Sequence, residues 1–221
     1  MGDRPILFSG PMVRALLNGS KTQTRRANHL ERLRRFGPIT EFDRSDTKGY
    51  DWHFRDKEML WHDLRHADLL KYLPWQVGDR LYVRETWAPL DRLTHNDPGT
   101  QALSDRGFYQ ADGGTVAGEI TRWTPAIHQP RWASRLTLTV TDVRVERLKS
   151  ISWDDCLAEG VQANSAGLVP VEGGPPMTAK AAYRKVWEDI NGFGSWDANP
   201  WVAAYTFTVE RGNIDQVGKA D

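Results

Sequence analysis

The stretch Arg135–Leu148, RLTLTVTDVRVERL, decides the fold. Leu136, Leu138 and Val140 alternate with threonines, the period of two that a half-buried strand requires. After Val140 the phase slips, and Val143 and Val145 carry the apolar face onward. One extra residue near Thr141-Asp142 reads as a β-bulge, the device that bends a barrel strand. A long strand of this kind predicts a curled sheet rather than a flat layer.

Working outward, Ser152 and Asp155 form a capping box that opens a short helix stopping at Gly160. Tyr183, Val186, Trp187 and Ile190 give a helical stripe closed by Gly192, and Trp201, Ala203, Tyr205, Phe207 and Val209 alternate as a final strand. At the other end, Ile6-Leu7-Phe8 reads as a short buried strand. Ser9 then caps a helix with Pro11 in its first turn, where a missing N–H costs nothing. Met12, Val13, Leu16 and Leu17 make its apolar face, and Gly19 ends it. Gly78-Asp79 turns into a strand over Arg80–Trp87, in which Leu81, Val83, Glu85 and Trp87 share a face.

Three insertions and a tail fall outside this frame. Residues 27–75 read as an insertion: a basic segment with Arg32, Arg34 and Arg35, a polar loop, and a helix near Lys57–Leu73 ended by Pro74. Residues 89–130 are rich in Asp, Gly, Pro and Thr and read as a long loop with one short strand around Phe108-Tyr109. Residues 161–180 contain a Gly/Pro-rich loop, and 212–221 read as a frayed tail. No repeat or clean linker divides the chain, so the expectation is one α+β domain over 1–221: a mixed β-barrel with short helices and large insertions.

The bulk numbers exclude several functions. With 29 basic and 29 acidic residues the formal charge is zero, which disfavours a protein that coats long duplex DNA. Residues 1–40 nevertheless carry eight Lys/Arg against Asp3 and Glu31, a local excess suited to a nucleotide or a short strand. One cysteine, Cys156, excludes an internal disulfide framework and fits a reducing compartment. No apolar run approaches the roughly 18 residues of a membrane span, and MGDRPILFSG lacks the secretory pattern. The expected location is the cytoplasm, with no membrane partner. Most of the ten tryptophans are read as core, with some free to stack on a base.

The chemistry concentrates in Gly19-Ser20-Lys21-Thr22-Gln23-Thr24-Arg25-Arg26. Along a strand, Thr24 and Arg26 point one way and Lys21 the other, unless Lys21 lies in the turn and swings to their side. The bland alternative is a solvated basic strand. Glu159, in Ala158-Glu159-Gly160, ends the short helix, where a negative charge opposes the helix dipole by about 0.3–1 kcal/mol. Glu85 should point inward, and a buried carboxylate needs a partner such as an arginine. The spacing His62-Asp63-Leu64-Arg65-His66 is similar to a zinc helix motif, but it offers no third ligand and reads as an amphipathic surface helix. No metal and no cofactor are expected.

The pattern Gly19-x-Lys21-x-x-Thr24-x-Arg26 resembles the signature of the ASCH superfamily, PUA-like β-barrels associated with RNA and modified nucleosides. Supporting marks are the strand and helix before it, Gly78-Asp79 leading into a strand, and the long strand feeding a short helix. Gly194–Trp201, with Trp196 and Trp201, is similar to phage-type members of this length. The resemblance covers roughly residues 4–26, 76–88, 132–160 and 181–210 and leaves the insertions unexplained. Within that superfamily, the chain resembles a small bacterial amidohydrolase that removes the acetyl group from the exocyclic amine of N4-acetylcytidine. The resemblance implies Lys21, Thr24 and Glu159 as catalytic residues and a nucleoside as substrate.

Amide cleavage needs a nucleophile, a proton acceptor and a group to hold the oxyanion. Thr24 Oγ is the expected nucleophile. Either burial lowers the Lys21 pKa from about 10.4 toward 7–8 and it acts as base, or Glu159 is the base and charged Lys21 steadies the oxyanion. Arg26, Glu85 and Trp87 are the expected substrate-binding residues. The alternatives are a non-catalytic RNA-binding module of the same fold, or a ribonuclease in which Lys21 stabilises a phosphorane.

Overall fold

The structure is a computed structural model, and it describes residues 3–89, 107–113, 120–171 and 173–218. In chain order its elements are β1 (Arg4–Leu7), α1 (Gly10–Leu17), β2 (Gln23–Arg26), α2 (Asn28–Glu31), β3 (Arg32–Leu33), β4 (Gly37–Arg44), β5 (Trp52–Asp56), β6 (Trp61–Leu64) and α3 (His66–Tyr72). Then come β7 (Arg80–Arg84), β8 (Trp87–Ala88), β9 (Phe108–Tyr109), β10 (Leu136–Arg147), α4 (Trp153–Ala158), β11 (Leu168–Val171), β12 (Gly174–Thr178), α5 (Ala179–Asn191) and β13 (Trp201–Arg211). The class is α+β, mostly sheet with few short helices. The largest sheet has the open order β1-β7-β10-β13-β2, and β1 and β2 are its edges among the described residues. The mixed β-barrel expected from the sequence is therefore corrected to an open mixed sheet: β1 runs parallel to β7, while β10 and β7 are antiparallel.

The chain divides into two compact units, Met1–Lys21 with Asp79–Thr139 and Thr208–Asp221, and Thr22–Gly78 with Val140–Phe207. In the first, the alternation along β7 buries Leu81 and Val83, and Ile6 and Val13 join them in the interior. Gly107 has φ +108 and packs on β8, where a Cβ would lie 2.3 Å from the Ala88 carbonyl oxygen. Only glycine fits there. Much of the expected loop over 89–130 lies outside the described residues, but β9 stands where Phe108-Tyr109 predicted a strand and pairs with β8. The segment after Arg211 is not frayed through 218. Asn213 and Ile214 are buried, and Asn213 Nδ2 donates to the carbonyls of Arg131 (2.8 Å), Trp132 (3.2 Å) and Ser134 (2.9 Å). Asn213→Ala should lower the unfolding free energy by about 1–3 kcal/mol, the cost of stranding buried acceptors, measurable in urea melts.

In the second unit, the insertion at 27–75 is not a loop and a long helix. It holds an antiparallel sheet of order β3-β4-β5-β6 followed by the short α3. Trp52 and Phe54 alternate with polar residues on β5 and are fully buried. The helix expected over Lys57–Leu73 fails because Trp61–Leu64 pairs with Trp52–Arg55 instead. His62 Nε2 thereby lies 2.7 Å from Asp56 Oδ2, and His53 Nδ1 lies 3.0 Å from Asp63 Oδ1. The presumed surface helix is thus a strand whose polar residues are matched across the sheet. The Gly/Pro-rich stretch is likewise a hairpin, β11 with β12. Its prolines sit in a two-stranded ribbon, where every strand has a free edge and a missing N–H is tolerated.

Leu148, Ile151, Cys156, Ala179, Tyr183, Trp187, Trp196 and Val202 form the core beneath α4 and α5. Burial pushes the Cys156 thiol up to about 11, which makes it an inert core residue. The stripe read on α5 is only half used: Tyr183 and Trp187 are buried, whereas Val186 and Ile190 are exposed. Along β10 the burial phase slips where the sequence slips, since Thr141 and Asp142 are both exposed between buried Val140 and Val143. Among the described residues, no helix is long and apolar enough to cross a membrane.

Candidate functional site

Strand β2 pairs antiparallel with β13, and the register sets Thr24 opposite Tyr205 and Arg25 opposite Ala204. By the period of two, Thr24 and Arg26 share one face and Gln23 and Arg25 the other. The Thr22 N–H donates to the Ala158 carbonyl at 2.8 Å, so the start of the strand is tied to the end of α4. The capping box that starts α4 is complete: Asp155 N–H donates to Ser152 Oγ at 3.0 Å, and Ser152 N–H donates to Asp155 Oδ2 at 3.4 Å. Glu159 is the C-terminal cap of this helix, followed by Gly160 with φ +101. This local order brings Thr24, Arg26 and Glu159 into the same unit.

Arg25, which the sequence reading passed over, is the hub of the Gln23 face. Its Nε and Nη2 donate to Glu146 Oε1 at 3.0 and 2.8 Å, and its Nη1 donates to Gln23 Oε1 at 2.8 Å and Glu159 Oε1 at 3.1 Å. Nη2 also lies 3.1 Å from Asp155 Oδ2. Glu159 Oε1 accepts from the Tyr183 hydroxyl as well, at 3.3 Å. Burial works against the Arg25 charge, but Glu159, Tyr183 and Glu146 outweigh it and raise its pKa. Asp155 is held at about 2: burial opposes its charge, and Arg144 and Arg25 overcome that penalty.

On the opposite face, burial lowers the Arg26 pKa, although Glu159, Tyr183 and Tyr205 pull the other way. His29 packs edge-on against Trp75 and Tyr205, with ring centroids 4.5 and 5.4 Å away. Its Nδ1 lies 2.9 Å from the Tyr205 hydroxyl, and the Trp75 backbone N–H donates to that same hydroxyl oxygen. The Tyr205 hydroxyl donates to Nδ1 when the neutral ring carries its proton on Nε2, and accepts from Nδ1–H in the other tautomer. Burial, then the neighbouring Arg26 charge, push the His29 pKa down to about 3. Unfolded His29 takes a proton near its ordinary 6.5 and the folded form only near 3, so stability should decline as pH falls between these values. Nitrogen-15 spectra should show a neutral His29 ring from about pH 4 to 8.

The other expected residues belong to the first unit. Lys21 is its last residue before the boundary and is 0 % exposed. Its N–H donates to the Ala15 carbonyl at 3.0 Å, and its Nζ lies 5.4 Å from the Phe8 ring centre. Glu85 is committed to an arginine: Arg135 Nε and Nη2 donate to its two oxygens at 2.9 and 3.0 Å. Burial raises the Glu85 pKa and Arg135 draws it back. Arg135 also binds Asp112 and covers the Tyr109 ring at 3.9 Å, which makes this cluster an ion-pair lattice inside the unit. Trp87 is buried, edge-on to Trp132 at 5.5 Å. Glu85 is thus paired with Arg135, and Trp87 is buried in the same unit.

No group of three or more His, Cys, Asp or Glu that could hold a metal occurs among the described residues. No protein-family model matches the chain, and no curated protein or solved structure does.

Proposed function

We propose that the chain is an amidohydrolase that removes the acyl group from the exocyclic amine of N4-acylated cytosine nucleosides, on a PUA-like ASCH scaffold and without a metal. The observation that carries this reading is burial. Lys21 is 0 %, Thr24 2 % and Glu159 8 % exposed, whereas a solvated basic strand would leave such side chains in water. Buried polar side chains at a matched signature are candidates for chemistry.

In this reaction Thr24 Oγ attacks the acyl carbonyl, its proton passes to a base, and the C–N bond breaks as the exocyclic nitrogen takes up a proton. Water then cleaves the acyl-threonine ester and releases the carboxylic acid. Lys21, in the matched signature, is the base this reading favours, with Glu159 as the alternative. Glu159 Oε1 already accepts from Arg25 and Tyr183, which suits it to supplying fixed negative charge. The test is incubation with N4-acetylcytidine and quantitation of cytidine. Release above the protein-free rate is expected, and none between about pH 6 and 9 removes the reading for this substrate.

A second reading, an RNA-binding module, is favoured by the exposure of Arg32, Arg34 and Arg35 around β3. Three phosphate contacts to a single strand predict a slope of about −2 in log K against log salt, and a flat dependence would remove this reading.

A further inference from the structure

We infer that Arg25 is the positioning residue of the hydrolytic site, fixing the Glu159 carboxylate from beneath β2; this rests on the amidohydrolase reading. Thr24 and Arg26 carry the signature, and the residue between them also contacts Glu159 directly, at 3.1 Å. Its side chain is completely buried, and every donor edge of the guanidinium is engaged. Glu146 on β10 takes Nε and Nη2, Asp155 on α4 takes Nη2, and Gln23 on β2 takes Nη1. Gln23 is itself held through Nε2, which donates to Thr206 Oγ1 at 3.2 Å.

The plane of the guanidinium is thereby set by three elements before Glu159 is added. Glu159 needs such a support because it caps the C-terminal end of a six-residue helix, where the dipole disfavours a carboxylate. Only a planar fork can serve these acceptors together; a lysine ammonium carries the same charge as a single point. Arg25 therefore acts on geometry, and its removal should slow the chemical step rather than weaken substrate binding.

The experiment compares wild type, Arg25→Lys and Glu146→Gln with N4-acetylcytidine, alongside circular dichroism to establish that each is folded. Arg25→Lys should lower kcat by about 10- to 100-fold with KM within about twofold, the pattern of a misplaced catalytic group. Glu146→Gln keeps Arg25 but loosens it from the far side, and should shift kcat in the same direction by less. It decides the matter if Arg25→Lys does not fold. Folded variants with wild-type kcat, or a change confined to KM, overturn the inference and leave the hydrolase reading standing. A wild-type protein that releases no cytidine overturns both.

Discussion

Arg25→Met should lower the unfolding free energy by about 3–5 kcal/mol at neutral pH, because it strands Glu146, Asp155 and Glu159 without their shared cation. The loss should depend on pH, with a definite sign. Asp155 falls from 3.8 to about 2 in the fold, so its contribution is present above 3.8 and disappears as pH drops toward 2. Arg25 supplies part of that depression, so the gap between wild type and variant should narrow across this window. Urea melts at pH 7 and pH 3 measure both quantities. A gap below about 1 kcal/mol at pH 7, or one that does not shrink at pH 3, would show that the carboxylates do not depend on Arg25.

Thr24→Val should reduce cytidine release roughly a thousandfold or to background, while Thr24→Ser retains a measurable rate. Valine keeps the β-branched shape that suits β2 and deletes only the hydroxyl, so the strand pairing with Tyr205 should persist. Folding is checked by circular dichroism and activity by product chromatography. A Thr24→Val protein that hydrolyses at the wild-type rate would exclude the hydroxyl as nucleophile and move the attack to an activated water.

Much of the fold was legible because the chain punctuates itself. The alternation over Leu136–Val145, the Ser152–Asp155 box, Gly192 after α5 and the apolar run Ile6-Leu7-Phe8 each carry a local cause. The sheet at 27–75 was obscured by an irregularity of its own. Glu41 has φ +52, and the register of β4 against β5 shifts between Thr40 and Asp43. The buried Ile39 and the Trp52-stacked Phe42 are therefore three apart, a spacing that suits a helix better than a strand. The candidate site was legible only where a short signature marks it. Arg25 escaped because its carboxylate acceptors come from residues 121 to 134 positions away, and no local pattern announces such a meeting. His29 and Tyr205 escaped for the same reason, being 176 positions apart.

Asp155 answers to two neighbourhoods at once. It closes the helix cap with Ser152, and it receives Arg25 on one oxygen and Arg144 on the other. Asparagine would preserve the cap and forfeit the charge; glutamate would preserve the charge and overshoot the cap. In descendants of this sequence, the position should drift only in company with its two arginines, so that covariation rather than invariance would be its evolutionary trace.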